Sequence, residues 1–216
     1  MNKRLSLVFG LGLALVSQVV SADILGVANG RAADFSASSQ ISVEGGLSIA
    51  DETTTLGARA NFKLSDELVL FGDLGRVDFS GGGADDADGL ALGIGGFYLL
   101  NKLGLTDKAN LAFKGSFHRA NVEFDNCRGN CDIDLGEFAL ELLASKSVNS
   151  ETVGLSWYAN VGVHLLSVEF PVGFDDDDTE LSFGGGITGN IPLGEWYAGL
   201  DFIDDLTLRG GFRYNL

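Results

Sequence analysis

The chain has 216 residues, with 14 Lys and Arg against 30 Asp and Glu, and its formal charge of -16 excludes nucleic acid as a partner. At 45% hydrophobic residues it is too apolar for a disordered chain, yet past residue 22 no apolar run is long enough for a membrane helix. Its 31 Gly and 2 Pro, spread through short alternating segments, point to an all-β protein.

Residues 1–22 read as a cleaved signal peptide. Lys3 and Arg4 form the positive start, an apolar run follows to Val20, and Val20-Ser21-Ala22 supplies the small-residue cleavage site. Removing these 22 of 216 residues leaves 194, enough for one domain, with a charge of about -18 because Lys3 and Arg4 leave too. Residues 23–40 show no period and are expected to form a periplasmic lead-in or an irregular plug. Strands are then expected at 41–50, 54–64, 68–79, 90–100, 109–124, 135–145, 153–170, 179–191, 196–202 and 206–216. That is ten strands, with eight as the alternative if the first strand or the Trp196 hairpin lies outside the wall.

Each strand has an apolar face and a polar one. Leu56, Ala58, Ala60, Phe62 and Leu64 oppose Gly57, Arg59, Asn61 and Lys63; Phe138, Leu140 and Leu142 oppose Glu137 and Glu141. A soluble sandwich and a membrane barrel share this alternation, with opposite sides inward. Aromatic placement favours the barrel. On an up-and-down path Tyr98, Trp157, Trp196 and Tyr214 all fall outward at one rim, as an interfacial girdle requires.

The last eleven residues read Leu-Thr-Leu-Arg-Gly-Gly-Phe-Arg-Tyr-Asn-Leu, apolar or Gly at every second position. This resembles the C-terminal signal strand of bacterial outer-membrane β-barrels, whose pattern is polar, any, Gly, any, any, apolar, any, apolar. Arg209, Gly211, Tyr214 and Leu216 meet it, with Leu where the family most often ends in Phe. In overall plan the chain is similar to the OmpA, OmpX and OmpW group of small barrels. The resemblance implies a transmembrane antiparallel up-and-down barrel over residues 41–216, located in the cell outer membrane. It also implies contact with lipid and lipopolysaccharide, and insertion by the barrel-assembly machinery acting through Arg209 to Leu216.

Inward charges are expected to form a lumen network. A three-residue turn at Ser65-Asp66-Glu67 puts Arg59 across from Asp73. Lys114 and His118 lie beside Glu137 and Glu141, His164 shares the inward face, and Asp201 lies diagonal to Arg209. Mutual pairing is the structural reading and a charge-lined ion path the functional one. Inward glycines such as Gly93, Gly95, Gly184 and Gly186 are expected to leave some room.

Cys127 and Cys131, the only cysteines, are expected to form a disulfide at a loop tip in an exported chain. Asp85, Asp86 and Asp88, then Asp132 and Asp134, then Asp175 to Asp178 in a loop over 171–178, are expected on one rim. Divalent cations could bridge them to lipopolysaccharide phosphates. His118, His164, Ser116 and Ser156 match no catalytic pattern, so the chain reads as non-enzymatic, with no cofactor. The expected function is a structural or narrow porin-like barrel. The alternative is an interaction barrel whose acidic loops contact host surfaces, other cells or lipopolysaccharide.

Overall fold

The computed structural model describes residues 39–80, 87–100, 109–124, 132–148, 154–170, 174–203 and 205–216. The signal peptide, most of the lead-in, and Cys127, Cys131, Asp85 and Asp86 lie outside the described residues. Ten antiparallel strands run β1 Ile41–Ile49, β2 Thr53–Lys63, β3 Leu68–Phe79, β4 Ala87–Leu99, β5 Asn110–Phe124, β6 Ile133–Ser147, β7 Leu155–Phe170, β8 Phe174–Ile191, β9 Gly194–Ile203 and β10 Asp205–Asn215. Each pairs with its neighbours in sequence, and β1 pairs with β10, so the sheet closes as a ten-stranded up-and-down barrel. The eight-strand alternative falls, because both the first strand and the Trp196 hairpin are in the wall.

Short turns lock the register locally. Between β2 and β3, the Ser65 hydroxyl accepts from the Glu67 and Leu68 amides at 3.2 and 3.1 Å, while Leu64 N–H donates to the Leu68 carbonyl at 2.9 Å. At the other limit of the chain, Leu216 N–H donates to the Ile41 carbonyl at 3.1 Å, so the C-terminus is tied into the seam.

The wall is inverted relative to a soluble protein. Outward positions are apolar and exposed, among them Leu56, Leu74, Leu90, Leu92, Ile94, Phe117, Leu181, Phe183 and Phe212. So much contiguous apolar surface, running round a closed barrel, is the outer face of a membrane-spanning wall. Strands β1, β2, β9 and β10, with 9, 11, 10 and 11 residues, have the length that a tilted membrane strand needs. Strands β5 to β8, with 15, 15, 16 and 18 residues, exceed it. At the end away from the termini the outer face turns polar. There Arg76 reaches Asp78 and Asp88 at 3.1 and 3.4 Å, and Arg119 reaches Asp134 at 3.3 Å.

Three strand starts that carry aspartates correct the sequence reading. Asp88 stands within β4, Asp134 within β6, and Asp175 to Asp178 within β8 rather than in a 171–178 loop. The physical reason is the cross-strand ladder. Asp175 to Asp178 pair with Glu169, Val168, Ser167 and Leu166 of β7, and that pairing overrides the low strand preference of Asp.

The interior is packed in layers. Nearest the termini, Val69, Phe71, Phe97, Leu99, Ala112 and Leu143 form one apolar cluster. At the far end Val77, Phe79, Ala91, Val122, Ile133, Leu135, Leu166 and Val168 belong to a second. Charged and polar residues fill the rest of the lumen, Lys114 level with Phe97 and Asn61 level with Phe71. The inward glycines do not leave room, which corrects that expectation: each is a recess already occupied by a neighbour. A Cβ on Gly93 would fall 1.8 Å from the His118 ring, on Gly95 2.4 Å from Phe71, on Gly184 1.9 Å from Asp201, and on Gly186 2.2 Å from the Ala198 carbonyl. A side chain at Gly184 must displace both Asp201 and, at 2.8 Å, the Leu200 carbonyl. Gly184→Ala is therefore expected to destabilise the barrel by about 1–3 kcal/mol in reversible urea unfolding. Gly45→Ala, on the outer face with nothing within 4 Å of the added carbon, should change it by less than about 0.5 kcal/mol.

Candidate functional site: the charged layer inside the barrel

Every second residue of a barrel strand points inward, so one polar residue per strand at matching height makes a ring. Here the ring resolves into three chains of contacts. The first starts at Arg59, whose Nε and second guanidinium nitrogen donate to the two Asp73 oxygens at 2.7 and 2.8 Å. Its guanidinium also lies 3.9 Å from the centre of the Phe71 ring. Asp73 bonds His118 Nε2 at 3.0 Å, and His118 Nδ1 stands 3.6 Å from Glu137. Glu137 bonds His164 Nδ1 at 2.5 Å, and His164 Nε2 bonds the Ser182 hydroxyl at 2.9 Å.

A second chain crosses the lumen elsewhere. Lys114 meets Glu141 at 2.6 Å, and the Asn160 amide donates to Glu141 at 3.2 Å and to Asp201 at 3.0 Å. Asp201 then meets Arg209 Nε at 3.0 Å. The third lies at the seam, where Arg213 donates to Glu44 at 2.7 Å and also contacts Glu195, while Asn61 donates to Glu44 at 2.7 Å. All ten strands take part, β4 through the recess at Gly93 that receives the His118 ring.

The structure thus brings together Arg59 with Asp73, Lys114 with Glu141, His118 and His164 with Glu137, and Asp201 with Arg209. Sequence reasoning put Asn61 and Asn160 on the inward face without a role in the network, and it missed Ser182, Glu44, Arg213 and Glu195. Ser182 has the inward phase of Gly184 and Gly186, so its placement was readable. The seam group joins the two ends of the chain, which no hairpin spacing predicts. Tyr98, Trp157 and Tyr214 are outward and exposed near the end that carries the termini, and Trp196 lies over Gly189 there. Within the terminal strand Arg209 joins the network, Tyr197 covers Gly211, and Tyr214 and Leu216 face outward.

Ser182, His164 and Glu137 have the connectivity of a nucleophile, its base and an orienting carboxylate. The site is full, however. Ser182 is 2% exposed, and a single carbon added at the facing Gly162 would lie 2.6 Å from Glu141, 2.8 Å from the Leu140 carbonyl and 2.9 Å from the hydroxyl. An acyl group has no room there in this conformation. Among the described residues no group of three or more His, Cys, Asp or Glu side chains is arranged to hold a metal ion. A shallow groove of about 650 Å³ lies on the outer wall, over the small residues Ala58, Ala60 and Gly72 and beside Leu92 and Phe117.

No protein-family model and no curated protein sequence matches the chain. Among solved structures it is similar to LpxR from Salmonella typhimurium, at 9% identity and TM-score 0.46, covering 81% of this chain and 100% of that one. The β domain of the Bordetella autotransporter BrkA gives 13% identity and TM-score 0.46, covering 82% and 98%. Neisserial surface protein A gives 15% identity and TM-score 0.36, covering 82% and 96%. These neighbours are outer-membrane barrels, and the likeness is one of fold alone. The expectation of a non-enzymatic chain is corrected here: LpxR, an outer-membrane enzyme, is among the similar structures, and a likeness of fold alone speaks neither for nor against catalysis.

Breaking one member of a buried pair strands its partner's charge. Arg59→Ala is expected to cost about 3–5 kcal/mol in urea unfolding. The pair Arg59→Met with Asp73→Leu should lose less than Arg59→Ala, because the ion pair goes as a unit, with the Asp73 bond to His118 Nε2 the part not recovered.

Proposed function

We propose that the chain is a closed, non-conducting outer-membrane barrel, built on the plan of the small OmpA-, OmpX- and OmpW-like barrels, whose working surface is the acidic far end. The outward apolar wall supports residence in a membrane. The observation that carries the reading is the filled lumen: buried ion pairs beside two apolar clusters, with the inward glycines already occupied. A conducting pore needs a continuous wet path, and the inward side chains, from Phe71, Phe97, Val122 and Leu143 on β3 to β6 to the ion pairs and hydroxyls of the other strands, are buried. The narrow porin reading therefore gives way to the interaction reading.

Strand length supports the same division of labour. The longer strands rise past the polar outer ring and carry Asp134, Glu169, Asp177 and Asp178 beyond the apolar belt. Charge presented there steers cationic partners without disturbing the wall. Purified barrel in planar bilayers, with folding verified by heat-modifiable gel migration, should show no unitary conductance steps at any voltage the bilayer withstands. Discrete, reproducible openings would overturn the closed reading.

A further inference from the structure

Strands β7 and β8 outrun their neighbour at the far end. The last rung between β8 and β9 joins Ser182 to Ile203, whereas β7 and β8 stay paired as far as Phe170 opposite Phe174. Among the described residues, β8 along 174–181 therefore pairs with a strand on one side only, and within the stretch the Thr179 amide donates to Asp178 Oδ1 at 2.6 Å. Alternate N–H and C=O groups of this stretch point off the open edge, over roughly 26 Å at about 3.3 Å per residue. An edge of that length is a template for another strand unless something makes pairing unfavourable.

Side-chain charge decides which strand can pair there. Asp177, Thr179 and Leu181 share one face of the edge, and Asp176, Asp178 and Glu180 share the other. Asp177, Asp178, Thr179 and Leu181 are exposed, Leu181 at 73%. A second copy pairing through this edge would set carboxylates against carboxylates, which disfavours it. An incoming strand with Lys or Arg at alternate positions would gain main-chain hydrogen bonds together with opposite-charge cross-strand pairs.

We propose that the open edge of β8, residues 174–181, accepts an extended Lys- and Arg-rich segment of a partner protein as an added strand. The backbone edge supplies the site, and the carboxylates select the occupant. The proposal rests on reading the barrel as a closed scaffold that acts at its far end.

The test uses the full barrel folded in detergent micelles and a labelled eight-residue peptide alternating Lys and Val. Two analogues are N-methylated at every second residue, one in each phase. The native peptide should bind and slow amide exchange at residues 174–181. The analogue methylated toward β8 should lose at least about ten-fold in affinity while the other retains it. A variant combining Asp176→Asn, Asp177→Asn, Asp178→Asn and Glu180→Gln should lose a similar factor. No binding by the native peptide, equal binding of the two analogues, or protection outside 174–181 would overturn the proposal. The analogue pair acts on the unmodified protein, so the test stands if the variant does not fold. Conductance steps would sink the closed-barrel reading and leave the edge chemistry untouched, whereas equal binding of the analogues would sink only the edge.

Discussion

A charge inside a closed sheet has neither bulk water nor lipid headgroups to answer it, so another protein group must. That constraint organises this molecule. Arg59, Lys114, Arg209 and Arg213 each meet a carboxylate from another strand, and the two histidines bridge between carboxylates and a hydroxyl. Because side-chain direction alternates, slipping any strand by one residue would turn its charge toward hydrocarbon and leave a buried partner alone. The network therefore fixes the register of strands whose backbone ladder would accept several.

Burial makes that constraint stricter. With two apolar clusters on the β3 to β7 side, the charged layer sits out of solvent, which strengthens its attractions and raises the cost of any missing partner. Packing reaches this density because large inward side chains lean over inward glycines. Tyr158 lies against Gly186 and Gly199, Tyr197 against Gly211, and the His118 ring against Gly93. On the closed-barrel proposal, a filled interior leaves transport through the lumen without a path. What remains distinctive is the uneven rim, where β5 to β8 rise and β9, β10, β1 and β2 stop short.

Local pattern was legible in the sequence, and long-range closure was not. Alternation located the strands, and the Ser65 turn, three residues long, put Arg59 opposite Asp73. The same reasoning placed Lys114 and His118 beside Glu141 and Glu137 on the adjacent strand. The seam escaped it. Glu44 meets Arg213 across 169 residues, a separation to which no turn length applies. Inward glycines were read as space because spacing shows where a side chain is missing but not which neighbour leans in. The start of β8 was hidden by its aspartates, whose preference for loops yields to the ladder with β7.

The dryness of the charged layer is what the account depends on, and it is open to direct measurement. Ser116 and Ser182 lie in that layer, 3% and 2% exposed, and Ser→Cys at either position is nearly isosteric. Each variant, folded in lipid vesicles, would be treated from both sides with a small cationic methanethiosulfonate, and modification would be mapped by peptide mass. The account predicts that the thiols at 116 and 182 stay unmodified until the barrel is unfolded. Rapid labelling of either in the folded protein would contradict it.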